Sequence, residues 1–242
     1  TQAVFERANN IGHTTRGKYG IRNVRGTWKG YFGGIAMDVS QGETMWRHGR
    51  TTLYEVDIPS NRARIVANAA AENHYRDWLV DAEGRVSITL DVDATNGKWR
   101  ITNAAGANLA QGVDPTGDVG LLCFGKDGTT LLYSIEDSQG NSRWFEVPLT
   151  GGTAAEFLPH DRVERLYIDQ RNDRLLGYLL SGENTEPVFF APSQQAAANK
   201  IFKAFRNWHA TLEDYTTDMS VAIVHTSGNG DSGTWYRVDV PK

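Results

Sequence analysis

The 242-residue chain has one cysteine, Cys123, so no internal disulfide can staple it. Cys123 lies within the apolar run Val119-Gly-Leu-Leu-Cys-Phe124, the setting of an inert core thiol rather than a reactive one. No apolar run approaches the roughly 20 residues that a helix needs to cross a bilayer, so no membrane partner is expected and the composition is that of a soluble protein. The amino terminus, Thr1-Gln-Ala-Val-Phe-Glu-Arg7, lacks the basic start, apolar core and cleavage site of a signal peptide. It also begins without methionine, the pattern of a processed or excised chain. These absences leave the compartment unread.

Basic charge is also in short supply, with 25 Lys plus Arg against 29 Asp plus Glu, and this disfavours nucleic-acid partners. One local cluster, Arg16, Lys18, Arg22, Arg25 and Lys29 with Tyr19 and Trp28 between them, reads as a solvated rim. The six histidines, at 13, 48, 74, 160, 209 and 225, include no pair at metal-ligand spacing, and no metal or other cofactor is expected. Phosphate-binding glycine loops, dinucleotide fingerprints and a Gly-x-Ser-x-Gly elbow are all missing. Gly230-Asp231-Ser232-Gly233 carries the four letters around the nucleophile of chymotrypsin-like proteases, but Ser227–Gly233 reads as a hairpin turn between two strands. Asp91-Val-Asp93-Ala-Thr95-Asn-Gly97 opens like a calcium loop. It fails on the place of its glycine and on Thr102 where a bidentate glutamate belongs, which leaves a hairpin before Trp99. No residue is therefore assigned a catalytic, cofactor-binding or metal-binding role.

What the chain does have is a period. Tyr54, Trp99, Phe145, Phe190 and Tyr236 are spaced by 45, 46, 45 and 46 residues. Turn signals recur at a similar interval: Asp81–Arg85, Gly125–Thr129, Asp169–Arg174 and Tyr215–Met219. Between them lie short runs of strand character, including Trp78–Val80, Val86–Leu90, Val119–Phe124, Leu131–Ile135, Leu166–Ile168, Leu175–Leu180 and Val221–His225. Four strands and their turns need about 40 to 50 residues, the span of one propeller blade. A sandwich would lack the long period, and a β-helix would repeat at a shorter one.

The expectation is an all-β propeller in a single domain or fragment spanning 1–242, with blades near 1–70, 75–113, 117–158, 161–205 and 208–242. Leu53–Asp57 and Ala63–Val66 form the outer half of the first blade, whose inner half must come from the irregular stretch before residue 50. One short helix near 193–205 interrupts the pattern. Ser193 is placed as its cap, and Ala197, Ala198, Ile201, Phe202 and Phe205 form an apolar stripe that packs on the blade's own edge. Propellers close with about four to eight blades, so four to five here leave an incomplete ring possible. Open edge strands would then promote homodimers.

The order Leu53-Tyr-Glu-Val-Asp57, Trp78-Leu-Val-Asp-Ala-Glu-Gly-Arg-Val86, Arg165-Leu-Tyr-Ile-Asp169, Phe190-Ala-Pro192 and Val224–Asp239 resembles the amino-terminal propeller of prolyl-oligopeptidase-family serine peptidases, of the bacterial acylaminoacyl-peptidase or dipeptidyl-aminopeptidase branch. That resemblance covers roughly 50–242. It implies a non-catalytic domain that gates and orients peptide substrates for an α/β-hydrolase domain of the parent chain, with one or two blades missing at the amino-terminal side. No Glu-Glu pair matches the family's amino-terminus clamp, so the resemblance transfers no substrate-binding residue. Two other classes compete: a stand-alone scaffold that binds proteins on its loop face, and a propeller enzyme with paired carboxylates at its centre.

Overall fold

The computed structural model describes residues 3–114, 116, 118–137, 139–159, 163–182, 186–228 and 230–240, apart from the side chains of Asp231 and Ser232. It is all-β with one helix. The chain divides into two compact units, Thr1–Pro159 with Gln170–Arg174, and His160–Asp169 with Leu175–Lys242.

The first unit contains three antiparallel meanders of four strands, the propeller blade. They are β1 (Lys18–Val24), β2 (Thr27–Ser40), β3 (Glu43–Asp57) and β4 (Arg62–Ala67); β5 (His74–Val80), β6 (Val86–Asp93), β7 (Lys98–Asn103) and β8 (Asn108–Val113); and β9 (Val119–Phe124), β10 (Thr130–Glu136), β11 (Ser142–Pro148) and β12 (Ala155–Glu156). In each, strands pair with their sequence neighbours in order.

Alternation decides which face each blade buries. In β6, Ile88, Leu90 and Val92 are buried while Ser87, Thr89 and Asp91 between them are not. The buried set joins Leu79, Trp99, Ile101 and Leu109 of the same blade and meets Val119, Phe124, Leu131, Tyr133 and Val147 of the next. A second cluster, Tyr31, Leu53, Trp78 and Val80, joins the first blade to the second. Face-to-face packing of successive meanders through apolar layers is the way propeller blades cohere. It also brings first strands together, since Tyr19 of β1 meets Trp78 of β5 edge-on at 5.5 Å and Tyr75 of β5 bonds Val119 of β9.

The irregular start becomes strand from Lys18 onward, in β1 and β2, while the residues before it form turns and a single bridge, Ile11 to Ala36. Residues 10–17 run along β2, with Gly12 N donating to Ile35 O and Arg16 N to Gly33 O. Gly34 allows this close approach, because a Cβ there would lie 3.0 Å from both Phe5 and Ile11. The hairpin of β2 and β3 continues well past the blade's core, and Val39, Met45 and Trp46 are exposed near its end.

The second unit holds β13 (Val163–Asp169), β14 (Arg174–Leu180), the short β15 (Val188–Phe189) and helix α1 (Pro192–Ala204), followed by β16 (His209–Tyr215), β17 (Val221–Gly228) and β18 (Asp231–Asp239). The helix stands where an outer strand would be. Ala198 and Ile201 are buried against Tyr167, Leu179, Phe189, Leu212 and Val224, with Ala197, Phe202 and Phe205 partly buried beside them. The expected cap is wrong: the N-cap is Ala191, without a side-chain bond, and Pro192 opens the helix. Proline suits that place because its missing N–H would have no partner there. Gln195 supplies the local bracing instead, accepting from Phe189 N at 2.7 Å and donating to Pro187 O at 3.0 Å.

The aromatic period has a structural meaning. Tyr54, Trp99, Phe145 and Tyr236 lie in β3, β7, β11 and β18, the third strand of each meander, and Phe190 directly follows β15. Tyr54 and Trp99 are buried, whereas Phe190 and Tyr236 are exposed, and in β15 the buried ring belongs to Phe189. The recurring turns are the hairpins between first and second strands.

Candidate functional site

Two polar assemblies lie where the first strands of the first unit meet. The first is organised by Arg22 of β1, which is 1% exposed. Its guanidinium donates to Asp81 O (3.0 Å), Ile21 O (3.2 Å), Gln170 O (3.0 Å) and Val80 O (2.8 Å), and to the Asp173 carboxylate. A planar fork with five N–H donors and no acceptor suits such a ring of oxygens, and an ammonium with three donors would leave some unbonded. Arg22 thus ties β1 to the end of β5 and to the turn 170–173. The charge cluster around residues 16–29 is therefore only partly a solvated rim: Arg16, Lys18 and Arg25 are exposed, while Arg22 is an internal brace and Lys29 pairs with Asp57.

A neighbouring polar set braces the first blade. Arg64 grips Glu55 with two bonds of 2.9 and 2.8 Å, and Tyr31 donates to the same carboxylate at 3.1 Å. Burial alone would raise the Glu55 pKa, but the bonds from Arg64 and Tyr31 outweigh it and hold it below the ordinary value.

The second assembly is acidic. Asp77 of β5 is raised by burial, despite bonds from the Trp78 amide and the Tyr19 hydroxyl. Asp114, in the loop after β8, is 4% exposed. Its Oδ1 accepts from Thr116 N (2.9 Å) and Thr116 Oγ1 (2.6 Å), while its Oδ2 is buried with no hydrogen-bond partner among the described residues. Leaving such an oxygen unbonded costs about 1–3 kcal/mol, and more when it is charged. Asp118, just before β9, hydrogen-bonds the Glu136 carboxyl at the end of β10, and that contact raises the Glu136 pKa, helped by partial burial and the nearby Asp114. Tyr75 stands among them, donating to Val119 O at 3.3 Å, and its hydroxyl is raised by burial and by Asp118, Asp77 and Asp114.

The arrangement limits the chemistry. Asp118 and Glu136 share a hydrogen bond, closer than the roughly 5 Å that a glycosidase acid and nucleophile need. No group of three His, Cys, Asp or Glu among the described residues has metal-ligand placement. The calcium-like loop is the β6–β7 hairpin: Asp93 accepts from Thr95 N, Thr95 Oγ1 and Asn96 Nδ2, and Asp91 is held by Arg76. Gly228 and Asp231 pair across the β17–β18 hairpin, while the side chains of Asp231 and Ser232, like His160, lie outside the described residues. Cys123 is fully buried, and its thiol is pushed up to about 12 by burial and by Asp173 and Glu146.

No protein-family model matches the chain, and no curated protein matches it. Among solved structures it is similar to TolB from Acinetobacter baumannii, with a TM-score of 0.42 and 10% identity, over 92% of this chain and 60% of that one. It is also similar to a protein provisionally assigned as dipeptidyl aminopeptidase IV from Bacteroides ovatus, with a TM-score of 0.46 and 11% identity, over 91% of this chain and 38% of that one. The chain thus spans less than two thirds of either. Likeness of this size says nothing about activity, and the blade assignment rests on the chain's own sheets.

Proposed function

We propose that this chain is the non-catalytic β-propeller part of a prolyl-oligopeptidase-family serine peptidase, and that it gates and orients peptide substrates for an α/β-hydrolase domain of the parent protein. The observation that carries the reading is the side-by-side placement of first strands from successive blades, with a polar lining of Tyr75, Asp77, Asp114, Asp118 and Glu136. A peptide offers amides and basic groups that such a lining can meet, and the resemblance in the ordered motifs from Leu53 to Asp239 supplies the enzyme class. The test compares the longest protein encoded by the same gene with the 242-residue chain on a short acyl-peptide reporter. Hydrolysis by the former alone is expected. Hydrolysis by the isolated chain, abolished by Ser232→Ala, would overturn the proposal.

One observation favours a second reading, a protein-binding scaffold. Val39, Met45 and Trp46, at 52, 66 and 67% exposure, crowd the end of the β2–β3 hairpin. A gene that encodes no hydrolase beside this propeller would shift the assignment to that reading.

A further inference from the structure

An open cavity of about 600 Å³ lies beside the β2–β3 hairpin, within the size range of sites that hold small ligands. Ile35, Met37 and Val39 alternate onto one face of β2 and line it, and Trp46 and Thr44 line it from β3, in register with Met37 and Val39. The chain before β1 supplies the rest of the lining, with His13, Thr14 and Arg16. Gly12 keeps the apolar part open, since a Cβ there would stand 3.9 Å from the Met37 sulfur. Val39 and Trp46 are more than half exposed, although covering such side chains is favourable. The charge of the lining has one sign. Arg16 and His13 are its ionisable residues, and among the described residues neither has an ion pair. Asp38, the carboxylate of β2, falls on the other face by alternation and pairs with Arg47 at 2.8 Å. An apolar surface edged by an unpaired guanidinium fits a ligand that is itself apolar and ends in an anion.

We propose that this cavity binds the carboxyl-terminal residue of a peptide whose last side chain is apolar. The carboxylate takes the fork of Arg16, which matches it with two parallel N–H bonds, and the side chain lies on Met37 and Trp46. Methionine is unbranched and adapts its shape, so aliphatic and aromatic side chains both fit against it. Asn9, Thr14 and Thr44 offer hydrogen bonds to the peptide's amides, which the alkyl chain of a fatty acid would leave unmet. The ligand is therefore a peptide rather than a lipid. This inference goes beyond the peptidase reading and does not depend on it.

The test is calorimetric titration of the 242-residue chain with N-acetyl-glycyl-glycyl-L-leucine, against its carboxamide, the corresponding serine peptide and sodium octanoate. Binding of the leucine peptide is expected, weakened about tenfold or more by amidation, the scale of one charge-assisted hydrogen bond, and by the change of leucine to serine. Arg16→Gln should weaken the free acid by a similar factor and leave the carboxamide unaffected, so that the two bind alike. Trp46→Ala should weaken both. Arg16 and Trp46 are exposed, so both variants should keep the thermal melt of the unaltered chain. Equal binding of acid and carboxamide by the unaltered chain, equal binding of the serine peptide, affinity indifferent to both variants, or no binding of the leucine peptide would each overturn the proposal. So would octanoate binding tighter than the leucine peptide, which assigns the cavity to a lipid. A dimer that forms without peptide binding and that Trp46→Ala dissolves would overturn it too, since the cavity then takes a second copy of the chain. Because no hydrolysis is read, such a failure leaves the peptidase reading standing, and loss of that reading leaves this site standing.

Discussion

Arg22 shows how much of a fold can hang on one side chain. Its guanidinium bonds four backbone carbonyls and Asp173, so removing it strips five acceptors at once in a buried place. Breaking a buried pair by deleting one partner costs about 3–5 kcal/mol. Arg22→Met is therefore expected to lose stability on that order in urea unfolding, with Arg22→Lys intermediate because the charge remains while the fork is lost. None of this could be read from sequence, since the acceptors are main-chain atoms 59 and 148 positions away in the longest cases and leave no mark in residue type. Cys123 is the opposite case, because an apolar run around a lone cysteine already tells of burial. A thiol held near 12 in the core should resist maleimide at pH 8 in the native chain and label fully in denaturant. Rapid native labelling would contradict the packing of β9.

Hairpins repeat one solution. Asp81, Asn103 and Asp137 each accept, through the side-chain oxygen, from the amides two and four residues on, at 2.8–3.0 Å, and Gly84, Gly106 and Gly140 follow three positions after them at φ of 80, 78 and 79°. Only glycine enters that left-handed region freely, and an alanine there costs about 1–2 kcal/mol. Gly106→Ala should lose about that much, since a Cβ at Gly106 meets nothing within 4 Å. Gly84→Ala should lose more, because its Cβ would lie 2.1 Å from the Tyr31 hydroxyl and force the Tyr31–Glu55–Arg64 set to move. Thermal melts of the two variants check the order. Asp218, in the β16–β17 turn, adds a pH dependence. Its pKa is lowered to about 2 by the Ser220 hydroxyl and amide and the Thr216 hydroxyl. The folded state binds that proton less tightly than the unfolded one, so the turn's contribution is full above the ordinary carboxylate pKa of 3.8 and fades as pH falls toward 2. Melting of Asp218→Ala should therefore differ from wild type at pH 6 and converge on it near pH 2. These turns were readable as Gly, Asn and Asp clusters, and the strands between them as alternating apolar runs. β1 and β2 were not, because Gly30, Gly33 and Gly34 blur the alternation where the chain from residue 10 to 17 lies against β2.

Edges govern how such a chain behaves in solution. Among the described residues the sheet of β16, β17 and β18 has three strands, and β18 ends it. In an antiparallel ladder, bonded and non-bonded pairs alternate. Val240 N donates to Ser220 O, and the register from Val221↔Asp239 to Thr226↔Thr234 is unbroken. Val238 and Tyr236 therefore bond inward to β17, whereas Trp235, Arg237 and Asp239 turn their N–H groups toward the open edge. An edge of this length is a template for strand addition, and its charges are muted here, since Arg237 and Asp239 pair with each other at 2.8 Å. We expect a concentration-dependent dimer in light scattering, formed by β18 of two copies. Arg237→Pro removes an outward donor without taking a bond from β17, so it should shift the equilibrium to monomer and leave the thermal melt of dilute protein nearly unchanged. A monodisperse monomer at high concentration would sink the idea, as would a dimer that Arg237→Pro leaves intact, because pairing across this edge cannot ignore the loss of its central donor.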